Sequence, residues 1–157
     1  MRRRATRACV ALLLVVSGFW TTVALAEVVS RISVVGSMSA AQPTSVRSGV
    51  YTAVQAAAGE KTYYARCSMC HGDDLAGIER APALAGSQFL DSWNGKDLRR
   101  LLDRVLTMPP GDPTPPTTAE AADVLAFLLR TADMPSGSTA LPADRSRLAE
   151  ITFERKP

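Results

Sequence analysis

The stretch Cys67-Ser68-Met69-Cys70-His71 places two thiols and one imidazole next to one another in the chain. This Cys-x-x-Cys-His pattern is typical of covalent attachment of a c-type haem. In such sites the two sulfurs form thioether bonds, and the histidine binds the iron. The pattern therefore predicts one covalent haem c on Cys67 and Cys70, with His71 as an axial ligand. The carbonyl of Pro82, in the following loop, is expected to accept a hydrogen bond from the other ring nitrogen of His71.

Other uses of this motif fit the chain less well. His71 is the single histidine of the sequence, which also excludes bis-histidine ligation of the iron. A structural zinc site needs four ligands, whereas the motif offers three adjacent ones. A thioredoxin-like dithiol requires a strand before the cysteines, but the residues before Cys67 have a helical pattern. A cysteine nucleophile needs a histidine from elsewhere in the chain, and the sequence has none.

Methionine is the side chain best suited to be the second axial ligand. Three of the five methionines lie in the N-terminal segments or inside the Cys-x-x-Cys-His motif: Met1, Met38 and Met69. Of the other two, Met108 follows a helical pattern and precedes Pro109-Pro110-Gly111, whose restricted backbone angles favour a fixed loop. We therefore predict Met108 as the ligand and Met134 as a packing or surface residue. A lysine, the N-terminus, water or an open position is the alternative.

The N-terminal segment has the layout of a secretory signal peptide. Residues 1–7 are basic, 8–25 are apolar or neutral, and small residues precede a cleavage point after Ala26. Without residues 1–26 the chain has 14 basic and 15 acidic residues, so its full-length charge of +3 does not indicate nucleic-acid binding. We expect export to the periplasm. Retention of 8–25 as a membrane anchor is the alternative, because that length is marginally sufficient to span a bilayer.

The remaining sequence predicts an all-α fold. Three segments have helical spacing or capping signals: 53–66, 91–107 and 118–130. Thr52 with Gln55, and Thr117 with Glu120, have the spacing of capping boxes. Apolar residues at positions 98, 101, 102 and 105 define one face of the middle helix. No segment shows the alternation that is typical of paired strands.

These patterns also set the expected domain limits. We predict a flexible leader over 27–49, a domain over 50–151 with a short helix within 144–151, and a C-terminal tail over 152–157. Gly59 lies in the middle of the first helix, where glycine is unfavourable unless another element passes close by. The predicted neighbour is the last long helix, through Leu125 with Phe127 or Leu128.

Together these features resemble the class I cytochromes c over most of 49–151. The matching pieces are part of the first helix, the haem motif, the loop after it, the methionine loop and the last long helix: 59–63, 67–72, 82–84, 107–111 and 123–129. The resemblance implies three main helices packed around one covalent haem c, and an electron-transfer protein rather than an enzyme. It also assigns haem-binding roles to six residues: thioether Cys67 and Cys70, axial His71 and Met108, the carbonyl of Pro82, and Leu84 packing on the ring.

A narrower resemblance concerns partner proteins. Residues 50–53, 81–86 with Phe89, and 141–144 are similar to periplasmic cytochromes c that occur beside quinoprotein alcohol dehydrogenases or are fused to them. This similarity implies transfer of single electrons from a quinoprotein dehydrogenase to an acceptor such as a terminal oxidase. Two alternatives are a ligand-binding or peroxidatic haem protein with an open or labile sixth position, and a haem subunit of a quinoprotein dehydrogenase complex.

Overall fold

The computed structural model describes residues 45–78 and 81–156. The predicted signal peptide 1–26, and the predicted leader up to residue 44, lie outside the described residues. In the part that is described, no helix is both long and apolar enough to cross a membrane.

The described residues are helical. Six α-helices follow one short 3₁₀ helix, Val46–Ser48: α1 Ala53–Arg66, α2 Ser68–His71, α3 Gly86–Trp93, α4 Leu98–Val105, α5 Thr118–Thr131 and α6 Arg145–Leu148. Extended pairing in these residues is limited to three isolated bridges. The predicted all-α fold is therefore confirmed.

Side-chain caps begin the two longest helices. Thr117 Oγ1 accepts a hydrogen bond from Glu120 N at 3.2 Å, and Glu120 Oε2 accepts one from Thr117 N at 2.8 Å, so the predicted capping box of α5 is complete. Thr52 Oγ1 accepts from Gln55 N at 3.1 Å at the start of α1. The rest of that box is wrong, because the Gln55 amide pairs with the backbone of Leu141, at 3.0 and 2.7 Å.

The predicted middle helix 91–107 is wrong as one element. It is divided into α3, which begins earlier at Gly86, and α4, which begins at Leu98 with Asp97 as its N-cap. The C-terminal segment causes the break: Gly95 N donates to Phe153 O, and Phe153 N donates to Lys96 O, both at 2.8 Å. These bonds take the backbone groups that a continuous helix would use.

Helices α1 and α5 cross at Gly59. A Cβ atom at this position would lie 1.8 Å from the Asp123 carbonyl oxygen and 2.8 Å from Val124 N. The predicted close crossing is confirmed, but it is the α5 backbone just before Leu125 that makes the contact. One turn further along α1, the ring centroids of Tyr63 and Phe127 are 5.2 Å apart.

The core extends past both ends of the predicted domain 50–151. Val46 and Phe153 are fully buried, and Val46 N donates to Thr152 O at 3.0 Å. The end of the predicted leader and the start of the predicted tail are therefore joined to each other and packed on the helices. The predicted short helix within 144–151 is α6, which covers four of those residues.

Candidate functional site

A cavity of about 610 Å³ is bounded by α1, α2, α3, α4, α5 and the loops that join them. Ligand and cofactor sites occupy roughly 300–1,000 Å³, so the volume suits a bound cofactor. Most of its wall is apolar, with these side chains among others: Leu84, Phe89, Leu101, Val105, Val124 and Leu128. The polar side chains on its wall are fewer and include Arg66, His71 and Arg104.

The cysteine motif forms one edge of this cavity. Helix α1 ends at Arg66, and Cys67 N still donates to Tyr63 O at 2.8 Å, so the first cysteine continues directly from α1. A single helical turn, α2, then follows, with His71 N donating to Cys67 O at 3.0 Å. Cys67, Cys70 and His71 all line the cavity. Burial raises the pKa of the Cys67 thiol, which reflects the low polarity of that wall.

The imidazole of His71 is oriented by the loop that follows it. His71 Nδ1 lies 2.8 Å from Pro82 O, the contact that the sequence predicts. Because a carbonyl oxygen can only accept, Nδ1 is the donor of this hydrogen bond, and Nε2 is the ring nitrogen left for a metal. His71 O in turn accepts from Gly77 N at 2.9 Å, and Leu75 O accepts from Leu84 N at 2.8 Å. The histidine therefore offers Nε2 as a metal ligand from a fixed loop.

Tyr63 adds a contact that sequence reasoning did not identify. Its side chain is fully buried, and its hydroxyl donates to Gly72 O at 2.6 Å, next to His71. Burial raises the pKa of Tyr63 to about 12, so the hydroxyl stays a donor at neutral pH. No local sequence signal marks this bond, since it joins residues nine positions apart across the end of α1.

The two candidate methionines lie in different places. Met108 lies just after α4, donates its N–H to Val105 O at 3.0 Å, and lines the cavity. Met134 is 5% exposed, belongs to the hydrophobic core, and is not part of the cavity wall. Its carbonyl accepts a hydrogen bond from the Tyr51 hydroxyl at 2.7 Å. The structure thus brings Met108, and not Met134, to the cavity that holds His71.

Several side chains on the wall were not predicted from the sequence. Arg66 is the clearest, because its Nη2 reaches Asp112 Oδ2 at 3.0 Å and also donates to the carbonyl of Thr114. These partners are more than 40 positions away along the chain, so no spacing rule reveals them. Trp93 and Arg104 also line the cavity.

These residues fit a haem c. Two cysteine sulfurs, one imidazole with a free Nε2 and one thioether line a single cavity, and that set is the donor chemistry of a His/Met-ligated c-type haem. Leu84 and Pro82, the other two predicted haem-binding residues, also lie on its wall. An apolar wall with few polar groups is what a large, flat, mostly apolar cofactor requires.

Comparison with protein families gives a match. Residues 54–128 match the family described as cytochrome C oxidase, cbb3-type, subunit III. This range contains the cysteine motif, Pro82, Leu84 and Met108, and it ends within α5. No curated protein and no solved structure matches the chain.

Proposed function

We propose that this protein carries single electrons in the periplasm, with its iron held by His71 and Met108. The family match over residues 54–128 supports a class I c-type cytochrome domain, an electron-carrying module with a covalently bound haem c. The observation that carries the proposal is the shared cavity. Both side chains line it together with Cys67 and Cys70, whereas Met134 lies elsewhere in the core.

The residues around the cavity suit electron transfer. When bound, the haem supplies a one-electron couple, ferrous to ferric. The hydrogen bond from His71 Nδ1 to Pro82 O orients the imidazole and raises the basicity of Nε2. Met108 offers a thioether sulfur, a ligand that raises the reduction potential. The apolar wall disfavours the extra positive charge of the ferric state and so acts in the same direction.

The proposed location and partners come from the sequence. The signal-peptide pattern of 1–26 supports export, and the charge of the remaining chain, with 14 basic and 15 acidic residues, suits brief contacts with partners rather than strong electrostatic docking. We propose a dehydrogenase, of the quinoprotein class, as electron donor and a terminal oxidase as acceptor.

A second candidate is a haem subunit that works inside a larger complex. The matched family is described as a subunit of an oxidase, and this favours a permanent place in such an assembly. Size-exclusion chromatography of a native periplasmic and membrane extract separates the two candidates. A free carrier elutes near the mass of the chain, whereas a subunit elutes with its partners.

Exchange of the two methionines tests the proposed ligands. The protein, produced together with the c-type maturation machinery, should gain the mass of one haem and show the far-red sulfur-to-iron band when ferric. Met108→Ala should abolish the band and lower the reduction potential. Met134→Ala, the matched control, should keep both while losing about 2–5 kcal/mol of stability, because it opens a cavity in the core.

Two results would contradict the proposal. A colourless product of unmodified mass would exclude haem attachment. Ready binding of carbon monoxide by the ferrous wild type at neutral pH would indicate an open sixth position, as in a ligand-binding or peroxidatic haem protein.

A further inference from the structure

The loop after Met108 has few attachments to the rest of the domain. Among residues 45–78 and 81–156, no backbone-to-backbone hydrogen bond joins 109–116 to a residue outside that loop. Its own backbone makes one such bond, Asp112 N to Pro109 O at 3.2 Å. The loop therefore depends on side chains to stay in place beside the cavity.

Asp112 organises the loop from within. Its Oδ1 accepts from Thr114 N at 2.8 Å and from the Thr114 hydroxyl at 3.0 Å. These two hydrogen bonds, with a smaller contribution from the Arg66 guanidinium, lower the pKa of Asp112. The carboxylate is thus charged at neutral pH, and its second oxygen, Oδ2, is directed to Arg66.

Arg66 joins the loop to the cysteine motif. It is the last residue of α1, immediately before Cys67, and its Nη2 contacts both Asp112 Oδ2 and Thr114 O. The side chain is 28% exposed and forms part of the cavity wall, with Nε buried and without a hydrogen-bond partner among the described residues. One guanidinium therefore links the end of α1, next to Cys67, to the loop that follows Met108.

We propose that Arg66 is a positioning residue for Met108. By holding 109–116 against the end of α1, the contacts of Arg66 with Asp112 and Thr114 favour the arrangement in which the Met108 side chain stays on the cavity wall. Loss of these contacts raises the fraction of molecules in which Met108 has moved away and the sixth position is open to another ligand. The inference rests on the axial role of Met108 proposed above.

Imidazole binding to the ferric protein measures that open fraction. Apparent affinity rises in proportion to the population that can bind, so Arg66→Gln and Asp112→Asn should each bind imidazole about five- to tenfold more tightly than the wild type. Arg66→Lys keeps the charge but not the geometry that lets the side chain contact both Asp112 and Thr114. Its affinity for imidazole should therefore lie between those of the wild type and Arg66→Gln. The matched control is Glu60→Gln, which breaks the 2.9 Å ion pair of α1 with Arg130, away from the loop. It should change the affinity less than twofold.

Each outcome decides the question. If Arg66→Gln and Asp112→Asn bind imidazole like Glu60→Gln, while the wild type shows the far-red band, the positioning role is wrong and the proposed ligation stands. If the wild type lacks the band, both proposals fail. Should Arg66→Gln not mature, Asp112→Asn decides alone, because Asp112 is not part of the cavity wall.

Discussion

On the His71 side of the cavity, residues 67–78 and 81–84, hydrogen bonds to the backbone fix the chain at short intervals. On the Met108 side, residues 106–116, Leu106 packs on the core and Pro116 is buried, but the hydrogen bonds to an element other than α4 come from one arginine. On the first side, Gly77 N binds His71 O, Leu84 N binds Leu75 O, and the Tyr63 hydroxyl binds Gly72 O. On the second, the hydrogen bonds to an element other than α4, among the residues that the structure describes, are the two that Arg66 donates.

The difference shows how the wall of one cavity can hold His71 firmly and Met108 conditionally. Backbone hydrogen bonds persist through most side-chain substitutions, so the position of His71 is set by the path of the chain. An ion pair between partly exposed groups contributes little to the stability of the fold, and that contribution is sensitive to substitution and to salt. Segments with few tertiary contacts open at lower free-energy cost than the core, so the Met108 side is expected to open more readily than the His71 side.

The strongest test compares two glycines with the same backbone angle. Gly77 and Gly111 both have φ of +80°, but a Cβ on Gly77 would lie 2.5 Å from Ala81 O, while one on Gly111 would meet nothing within 4 Å. Gly77→Ala should lower the free energy of unfolding by about 2–5 kcal/mol, from backbone strain plus overpacking. Gly111→Ala should cost about 1–2 kcal/mol, from strain alone. Urea unfolding of the haem-loaded proteins measures both, and equal losses would contradict the contrast between the two sides.

Tyr63→Phe should have a smaller effect on the His71 side. It removes the buried hydroxyl and leaves Gly72 O without that donor, at a cost of about 1–3 kcal/mol. Tyr64→Phe is the matched control, since Tyr64 is 49% exposed and its hydroxyl lies 3.4 Å from Asp73 O. That change should stay within about 0.5 kcal/mol. Indistinguishable unfolding curves for the two variants would show that the Gly72 contact does not contribute to stability.

The smallest expected effect is a pH dependence on the Met108 side. Because hydrogen bonds from Thr114 lower the pKa of Asp112 below 3.8, its charged form stabilises the folded state above that pH, and this contribution is lost as the pH falls towards the folded-state pKa. The stability difference between wild type and Asp112→Asn should therefore shrink between about pH 6 and about pH 3. Urea unfolding across that range measures it. A difference that is constant with pH would mean that the Asp112 charge does not hold the loop.

Sequence reasoning succeeded where the signal is local. The cysteine motif, the Thr117 capping box and the glycine at the α1–α5 crossing all depend on spacings of a few residues or on the properties of one residue. Met108 reached the cavity as expected because a helix end followed by prolines restricts where the chain can go.

Sequence reasoning failed where distant segments compete for the same hydrogen-bonding groups. The amide of Gln55 pairs with Leu141 instead of completing its cap, and the C-terminal strand-like segment at Phe153 divides the predicted helix 91–107. In both cases a partner more than 50 positions away offers hydrogen bonds that short-range rules do not include.

By itself, the sequence determined the chemistry of this protein: two thiols, an imidazole and a thioether at spacings suited to one haem c, in a chain of helical segments. Only the tertiary structure decided how firmly His71 and Met108 are held, because this depends on which distant backbone and charged groups surround each residue. Nothing in the sequence distinguishes Arg66 and Asp112 from other charged residues. Their proposed role arises because folding places their side chains 3.0 Å apart beside the cavity.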